Sequence, residues 1–135
     1  MKLLNLSFLP ASVDFGLLLL RLHVGLAMLC LHGWTKAMKF DQMMGSFPSP
    51  FPWLPSPAAF SLVIFAELFC SLLLILGFLT RFAALVLLIN MSVAFFMAHG
   101  AKVSGPGSGE MALLYLGMYA VLLVAGAGRF SLDRR

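Results

Sequence analysis

Charged side chains are what this chain has least of: they make up 10% of its 135 residues, against roughly 25% in an average soluble domain. That scarcity, together with 61% hydrophobic residues and a mean hydropathy of +1.01, excludes disorder and a water-soluble globule. Nine Lys and Arg outnumber five Asp and Glu, but they are scattered, so no basic stripe for nucleic acid is formed. Only two cysteines occur, Cys30 and Cys70, both inside apolar runs, with no CxxC and no zinc-like Cys/His spacing; they read as buried thiols. Haem, flavin and iron–sulfur motifs are missing, so any one-electron centre has to belong to a partner or a ligand. The stretch Gly105-Pro106-Gly107-Ser108-Gly109 lacks the lysine of a phosphate-binding loop and follows no strand, which makes it a flexible lead into the next segment. No repeat of fixed period is present. Lys2 before the apolar Leu3 to Leu9 superficially imitates a signal peptide, but Asn5 and Ser7 interrupt a core already at the short limit.

What the chain does have is long charge-poor runs. A span needs about 20 mostly apolar residues to cross roughly 30 Å of hydrocarbon. Four stretches qualify, at about 13–34, 58–76, 82–98 and 110–127, within one domain covering 1–135. Ser12 is placed to cap the first, with Asp14 in its first turn where the helix dipole favours negative charge. Ser56-Pro57 reads as a cap followed by Pro at the first helical position, and Gly77 ends the second span. The connection Gly77-Phe78-Leu79-Thr80-Arg81 is short enough to force an antiparallel hairpin, with Thr80 as cap of the third span. The expected fold is therefore all-α, an integral-membrane four-helix bundle.

An even number of spans places both termini on one side. Lys2, Arg81, Arg129, Arg134 and Arg135 gather there, against Lys36, Lys39 and Lys102 on the other. The positive-inside rule predicts cytoplasmic termini and the two longer loops outside, in the periplasm or its equivalent. The outer loop 39–57 carries Phe40, Met43, Met44, Phe47, Phe51 and Trp53 among five prolines. Prolines forbid an interior helix across 48–57 but allow a turn or two before it. Two readings fit: a segment lying in the headgroup zone on its aromatics, or a lid over a cavity that opens outward.

Leu20-Arg21-Leu22, Gly25, His32-Gly33-Trp34-Thr35-Lys36, Ala66-Glu67, Gly77-Phe78-Leu79-Thr80-Arg81, Gly109-Glu110 and Gly128-Arg129-Phe130-Ser131-Leu132-Asp133 follow one another in an order and spacing that resembles the DoxX family of small bacterial membrane proteins. The resemblance runs through nearly the whole chain. It implies a four-helix membrane bundle. Its name-giving member is the small subunit of a thiosulfate:quinone oxidoreductase, and others are linked to redox-stress or detoxification systems, so it implies chemistry only at the level of a quinone-linked redox subunit.

Ionisable groups at membrane depth mark either a functional site or a structural pair. Counted along the helix rise, Arg21, Glu67 and Asn90 lie ~12, ~15 and ~13 Å from the inner ends of their spans. An Arg21–Glu67 pair completed by Asn90 is the economical way to bury three polar groups. Such a cluster either fixes helix register or handles a proton at a quinone headgroup, with Glu67 and Arg21 as the catalytic candidates. Nearer the outer surface, Arg21, Gly25, Met28 and His32 share one helical stripe, with Lys36 about 60° off it. His32, Lys36, His99 and Glu110 are thereby candidates to converge on a polar or anionic ligand, or to be snorkelling interfacial residues. Their spacing lacks HxxxH or HxxE, so no metal site is expected. Tyr119, i+4 from Tyr115, needs a partner for its hydroxyl near the midplane and either joins the Arg21 cluster or packs. His23 shares a stripe with Ala27 and Cys30 that faces another helix, a homo-oligomer partner or lipid. Cys30 and Cys70 differ in depth by roughly 15 Å, too far for a bridge.

Two functions remain open. One is a quinone-linked redox subunit in which Arg21, Glu67, Asn90 and Tyr119 hold the headgroup, while His32, Lys36, His99 and Glu110 form the outer port, acting with an electron-donating partner protein. The other is a non-catalytic anchor, assembly or small-molecule carrier module with a structural polar core. A channel fits less well, because four short-looped helices offer few polar residues per face.

Overall fold

The computed structural model of the chain describes residues 10–133 together with Leu4 and Leu6; Lys2, Arg134, Arg135 and most of the 3–9 stretch lie outside the described residues. Ser12 caps as its position predicts: its hydroxyl accepts the Phe15 N–H at 3.2 Å and opens helix α1, Val13–Met38. A short α2, Phe40–Met43, follows, then α3, Ser56–Leu76, α4, Thr80–Ala98, and α5, Glu110–Ala125. No strand occurs among the described residues. The helices α1, α3 and α4 are each long and apolar enough to cross a membrane, whereas α5 is shorter, at 16 residues.

The boundaries differ from expectation in physically legible ways. Helix α1 runs past Trp34 to Met38, so Lys36 sits on the helix rather than beyond it. Helix α5 stops at Ala125, because Gly126 leaves helical geometry with φ +81° and ψ −162°. Gly77 does end α3, in the left-handed conformation: its N–H reaches Leu74 and the Phe78 N–H reaches Leu73, the paired bonds of a Schellman stop. Thr80 is the first residue of α4 and not its cap. The cap comes from 53 residues away, where the Asp133 carboxylate accepts the N–H groups of Leu79 and Thr80, both at 2.8 Å.

Helix α3 is flanked by α1 and α4, and α5 closes against α4 along most of its length and against α1. Val24, Cys70, Leu74, Leu87, Tyr119 and Leu122 fill the fully buried interior, while Leu26, Leu31, Phe69, Ile89 and Val124 face outward. An exposed apolar face of that kind on membrane-length helices is a lipid-contacting face. Cys30 is exposed, Cys70 buried, and both are free thiols; His23 also faces outward. The loop at 100–109 is tied rather than loose: Lys102 Nζ donates to the Pro106 carbonyl at 2.7 Å, and Gly109 N–H to that of Lys102 at 2.8 Å.

The hairpin α3–α4 is not parallel-sided. The half of α3 from Phe65 to Leu76 packs on α4, whereas Ser56–Ile64 makes no comparable contact with it. The two helices therefore diverge from the end that carries the termini toward the end that carries the long loops. Three π-helical turns lie in the loop-side part of the molecule, at Leu29–Gly33 in α1, Phe65–Cys70 in α3 and Ala94–Ala98 in α4. Each widens its helix locally and re-aims the side chains beyond it, a distortion frequent at functional sites.

Candidate functional site

A cavity of about 690 Å³ fills the space left by the diverging helices, within the range of about 300–1,000 Å³ typical of small-molecule sites. Its walls are apolar: Leu62, Val63 and Phe65 from α3, Val86, Ile89 and Val93 from α4. Residues 47–51 and Leu54 of the long loop cover it on the loop side. That cover is anchored, since Phe40 and Phe47 pack on the buried Phe60 with ring centroids 5.6 and 4.9 Å away. The loop thus lies over the cavity as a lid would, while Phe51 and Trp53 stay exposed, as anchors in a headgroup zone would.

Polar groups collect at one end of this cavity. Lys36 Nζ donates to both carboxylate oxygens of Glu67 at 2.6 Å, and Asn90 Nδ2 donates to Glu67 Oε1 at 3.3 Å. The Glu67 side chain is 4% exposed and that of Lys36 25%. Gly33 makes this pairing reachable: a Cβ there would lie 2.6 Å from the Glu67 carbonyl oxygen, so only glycine lets α1 approach α3 so closely one turn before Lys36. His99 completes the polar rim, with Nδ1 3.1 Å from the Gly107 carbonyl.

Arg21 does not belong to this group, which corrects the expected Arg21–Glu67 pair. Its Nη2 donates instead to the Phe130 carbonyl, 109 residues along, and the guanidinium is attracted by Asp133. The reason is the register of α1 on α3. Gly33 lies against Glu67, Gly25 against Ser71 and Ile75, and the Arg21 guanidinium against Gly77, so Arg21 stands roughly 15 Å along the helix from Glu67, whereas Lys36, one turn past Gly33, is level with it. The tilt of side chains toward the N-terminus of each helix adds to this, leaning Lys36 and Glu67 toward each other.

Around Arg21 a second polar assembly has formed. Its guanidinium occupies the space a side chain at Gly77 would need, the Asp133 N–H donates to the Gly77 carbonyl at 2.9 Å, and the Arg129 N–H donates to Asp14 Oδ1 at 3.0 Å. The motifs Gly77 to Arg81 and Gly128 to Asp133 therefore meet Arg21 and Asp14 in one latch, and Arg81 Nε donates to the Leu123 carbonyl beside it at 2.9 Å. No residue of this latch lines the cavity.

The remaining candidates divide. His32 stands edge-on to Tyr115 at 5.8 Å and is not on the cavity wall; Glu110 is exposed at the start of α5. Of the four candidates for an outer port, only Lys36 and His99 reach the cavity. Tyr119 is fully buried and stacked on Tyr115 at 5.9 Å, its hydroxyl without a hydrogen-bond partner among the described residues. It joins neither Arg21 nor the cavity wall.

The donor inventory decides what the cavity end can bind. An ammonium has three donors and an amide nitrogen two. Glu67 uses two of the first and one of the second, leaving one donor on Lys36 and one on Asn90 beside a shared carboxylate. That end of the cavity thus presents two free N–H donors beside apolar walls.

Comparison with known proteins places these features in a family. The DoxX family matches residues 16–100, more than half of the chain and all of the Lys36, Glu67 and Asn90 site. A Haemophilus influenzae protein without an assigned function is 36% identical over 106 residues, covering 76% of this chain and 70% of that one. The inner membrane protein YphA of Escherichia coli K12 is 30% identical over 138 aligned positions, covering 90% of this chain and 95% of its own length. No solved structure matches. With its membrane-length apolar helices and these relatives, the chain belongs to the DoxX family and is a protein of the inner membrane.

Proposed function

We propose that this protein is a quinone-linked redox subunit whose cavity between α3 and α4 holds a quinone headgroup against Lys36, Glu67 and Asn90. The observation that carries the reading is one cavity with apolar walls throughout and a buried, charge-paired polar end that keeps spare donors. In this arrangement α5 also crosses the membrane, making a four-helix bundle, and the arginine-bearing terminal end faces the cytoplasm. The loop end, with its lid, then faces the opposite aqueous side.

The residues present fit the group. The flat ring suits the Val63, Phe65, Val93 cleft, and its oxygens suit the free donors of Lys36 and Asn90. A quinone, when bound, supplies an acceptor of two electrons and two protons. The two electrons come from a donor carried by a partner protein, since this chain has no redox-centre motif of its own. Lys36 would hold one ring oxygen through its free N–H and would supply the proton taken up there, regaining one from water at its exposed quarter; the other ring oxygen, out of its reach, would take its proton from water. Glu67 holds the ammonium in place and balances its charge in the low-dielectric interior, and Asn90 orients both. The lid limits water to that narrow contact.

A second reading, a non-catalytic anchor, assembly or carrier module, is favoured by one observation. Lys36 and Asn90 already satisfy Glu67, so burial of the cluster is explained without chemistry.

Purification in mild detergent, with extraction and chromatographic quantification of quinone, tests the first against the second. The wild type is expected to retain quinone near one per chain. Lys36→Met and Glu67→Gln should lose it, and Arg21→Ala, outside the cavity, should keep it in whatever fraction folds. Quinone absent from the wild type, or equal in all folded variants, overturns the proposal in favour of the module.

A further inference from the structure

Four residues of the cavity wall are at the same time outward-facing: Leu62 and Phe65 on α3 are 59% and 42% exposed, and Ile89 and Met97 on α4 are 54% and 51% exposed. The cavity they line is only partly enclosed, and these exposed residues mark where it reaches the protein surface. Here that surface is the cleft between α3 and α4, which are packed along the Phe65–Leu76 half of α3 and separate toward Ser56. All four residues are apolar and stand on membrane-length helices, so this mouth opens onto acyl chains. On the loop side the route is covered by residues 47–51 and Leu54, pinned through Phe47 on Phe60.

We infer that the ligand enters and leaves sideways, through a portal between α3 and α4 in the hydrocarbon layer, and that its long apolar tail stays in that portal while its head sits at Lys36 and Asn90. The occupant is a lipid-dissolved molecule with one compact, oxygen-bearing head and one alkyl or isoprenoid chain. Charge distribution supports that occupant: the ion pair of Lys36 and Glu67 with Asn90 forms one polar cluster on the cavity wall, and the four residues at the mouth carry no charge. A double-chained phospholipid carries its charged head at the membrane surface, the wrong end for this site. The selectivity that follows is for tail as well as head, through the contacts the tail makes with Leu62, Phe65, Ile89 and Met97 in the portal.

This inference rests on the quinone reading and is tested with a quinone carrying a diazirine on its tail, photolysed with the full-length protein in lipid nanodiscs and mapped by mass spectrometry. Saturable labelling at Leu62, Phe65, Ile89 or Met97, competed by an unlabelled long-tailed quinone and reduced at least tenfold by Ala94→Trp in the cleft, is the expected result. Saturable labelling confined to residues 47–54 overturns the portal and leaves the quinone site standing, because the tail would then leave through the lid. Absence of saturable labelling, with no quinone retained on purification, overturns both. A tailless quinone competing as well as the long-tailed one at equal concentration in the lipid also overturns the portal's hold on the tail.

Discussion

Removing the ammonium of Lys36 without removing its partner is the sharpest test of the polar centre. In Lys36→Met the Glu67 carboxylate remains 96% buried with one hydrogen bond, from Asn90 at 3.3 Å, in place of three. Breaking a buried pair by deleting one partner costs about 3–5 kcal/mol, because a charge is left uncompensated. The ammonium is itself a quarter exposed, so solvent already screens part of the attraction, and about 2–3 kcal/mol is the better figure. Glu67→Leu should cost less, about 1–2 kcal/mol, since Lys36 can snorkel to the loop-side surface. The double variant should then lie within about 1 kcal/mol of wild type, as apolar replacement of both partners usually does. Unfolding in mixed micelles titrated with dodecyl sulfate measures all three, and the double-mutant cycle should give a coupling of about 2 kcal/mol or more. Additive single and double losses would refute the argument that these two side chains hold each other.

Other outcomes follow from the same geometry. Asp133→Ala removes the acceptor for two backbone N–H groups at the start of α4, and unfolding should show a loss of about 1–2 kcal/mol with quinone content unchanged in the folded fraction. Gly33→Ala places a methyl against the Glu67 carbonyl, so the α1–α3 contact must open; a loss of about 1–3 kcal/mol in the same unfolding assay is expected, together with loss of retained quinone. Gly77→Ala meets both a left-handed backbone, φ +66°, and the Arg21 guanidinium, and should cost more than the roughly 1–2 kcal/mol of the backbone alone. If it unfolds no more easily than wild type, the latch is not formed as described.

The helices were legible because length and hydropathy answer one question, whether a segment can cross hydrocarbon. Their partners were not. The Arg21–Glu67 pairing fails because depth counted from the end of each span assumes that the ends are level, whereas α1 is set so that Arg21 meets Gly77 at the end of α3 and Gly33 meets Glu67. The close approach at Gly33, which brings Lys36 level with Glu67, is a matter of packing between helices and not of either span alone. Asn90 was placed correctly beside Glu67, since both sit near the middle of adjacent helices. The cap of α4 was beyond reach: Thr80 satisfies the local rule, and nothing local announces a carboxylate 53 residues away. The aromatics and prolines of residues 39–57 read first as a headgroup-zone segment; that residues 47–51 also line a cavity depends on the gap between α3 and α4, which no local pattern announces.

The tie between Arg21 and the Phe130 carbonyl reaches across 109 residues, from α1 to the segment that follows α5. The buried cation of one helix is thus matched by an acceptor supplied from the far end of the described chain, so a chain cut before Phe130 would keep α1 and lose the hydrogen-bond partner of its guanidinium.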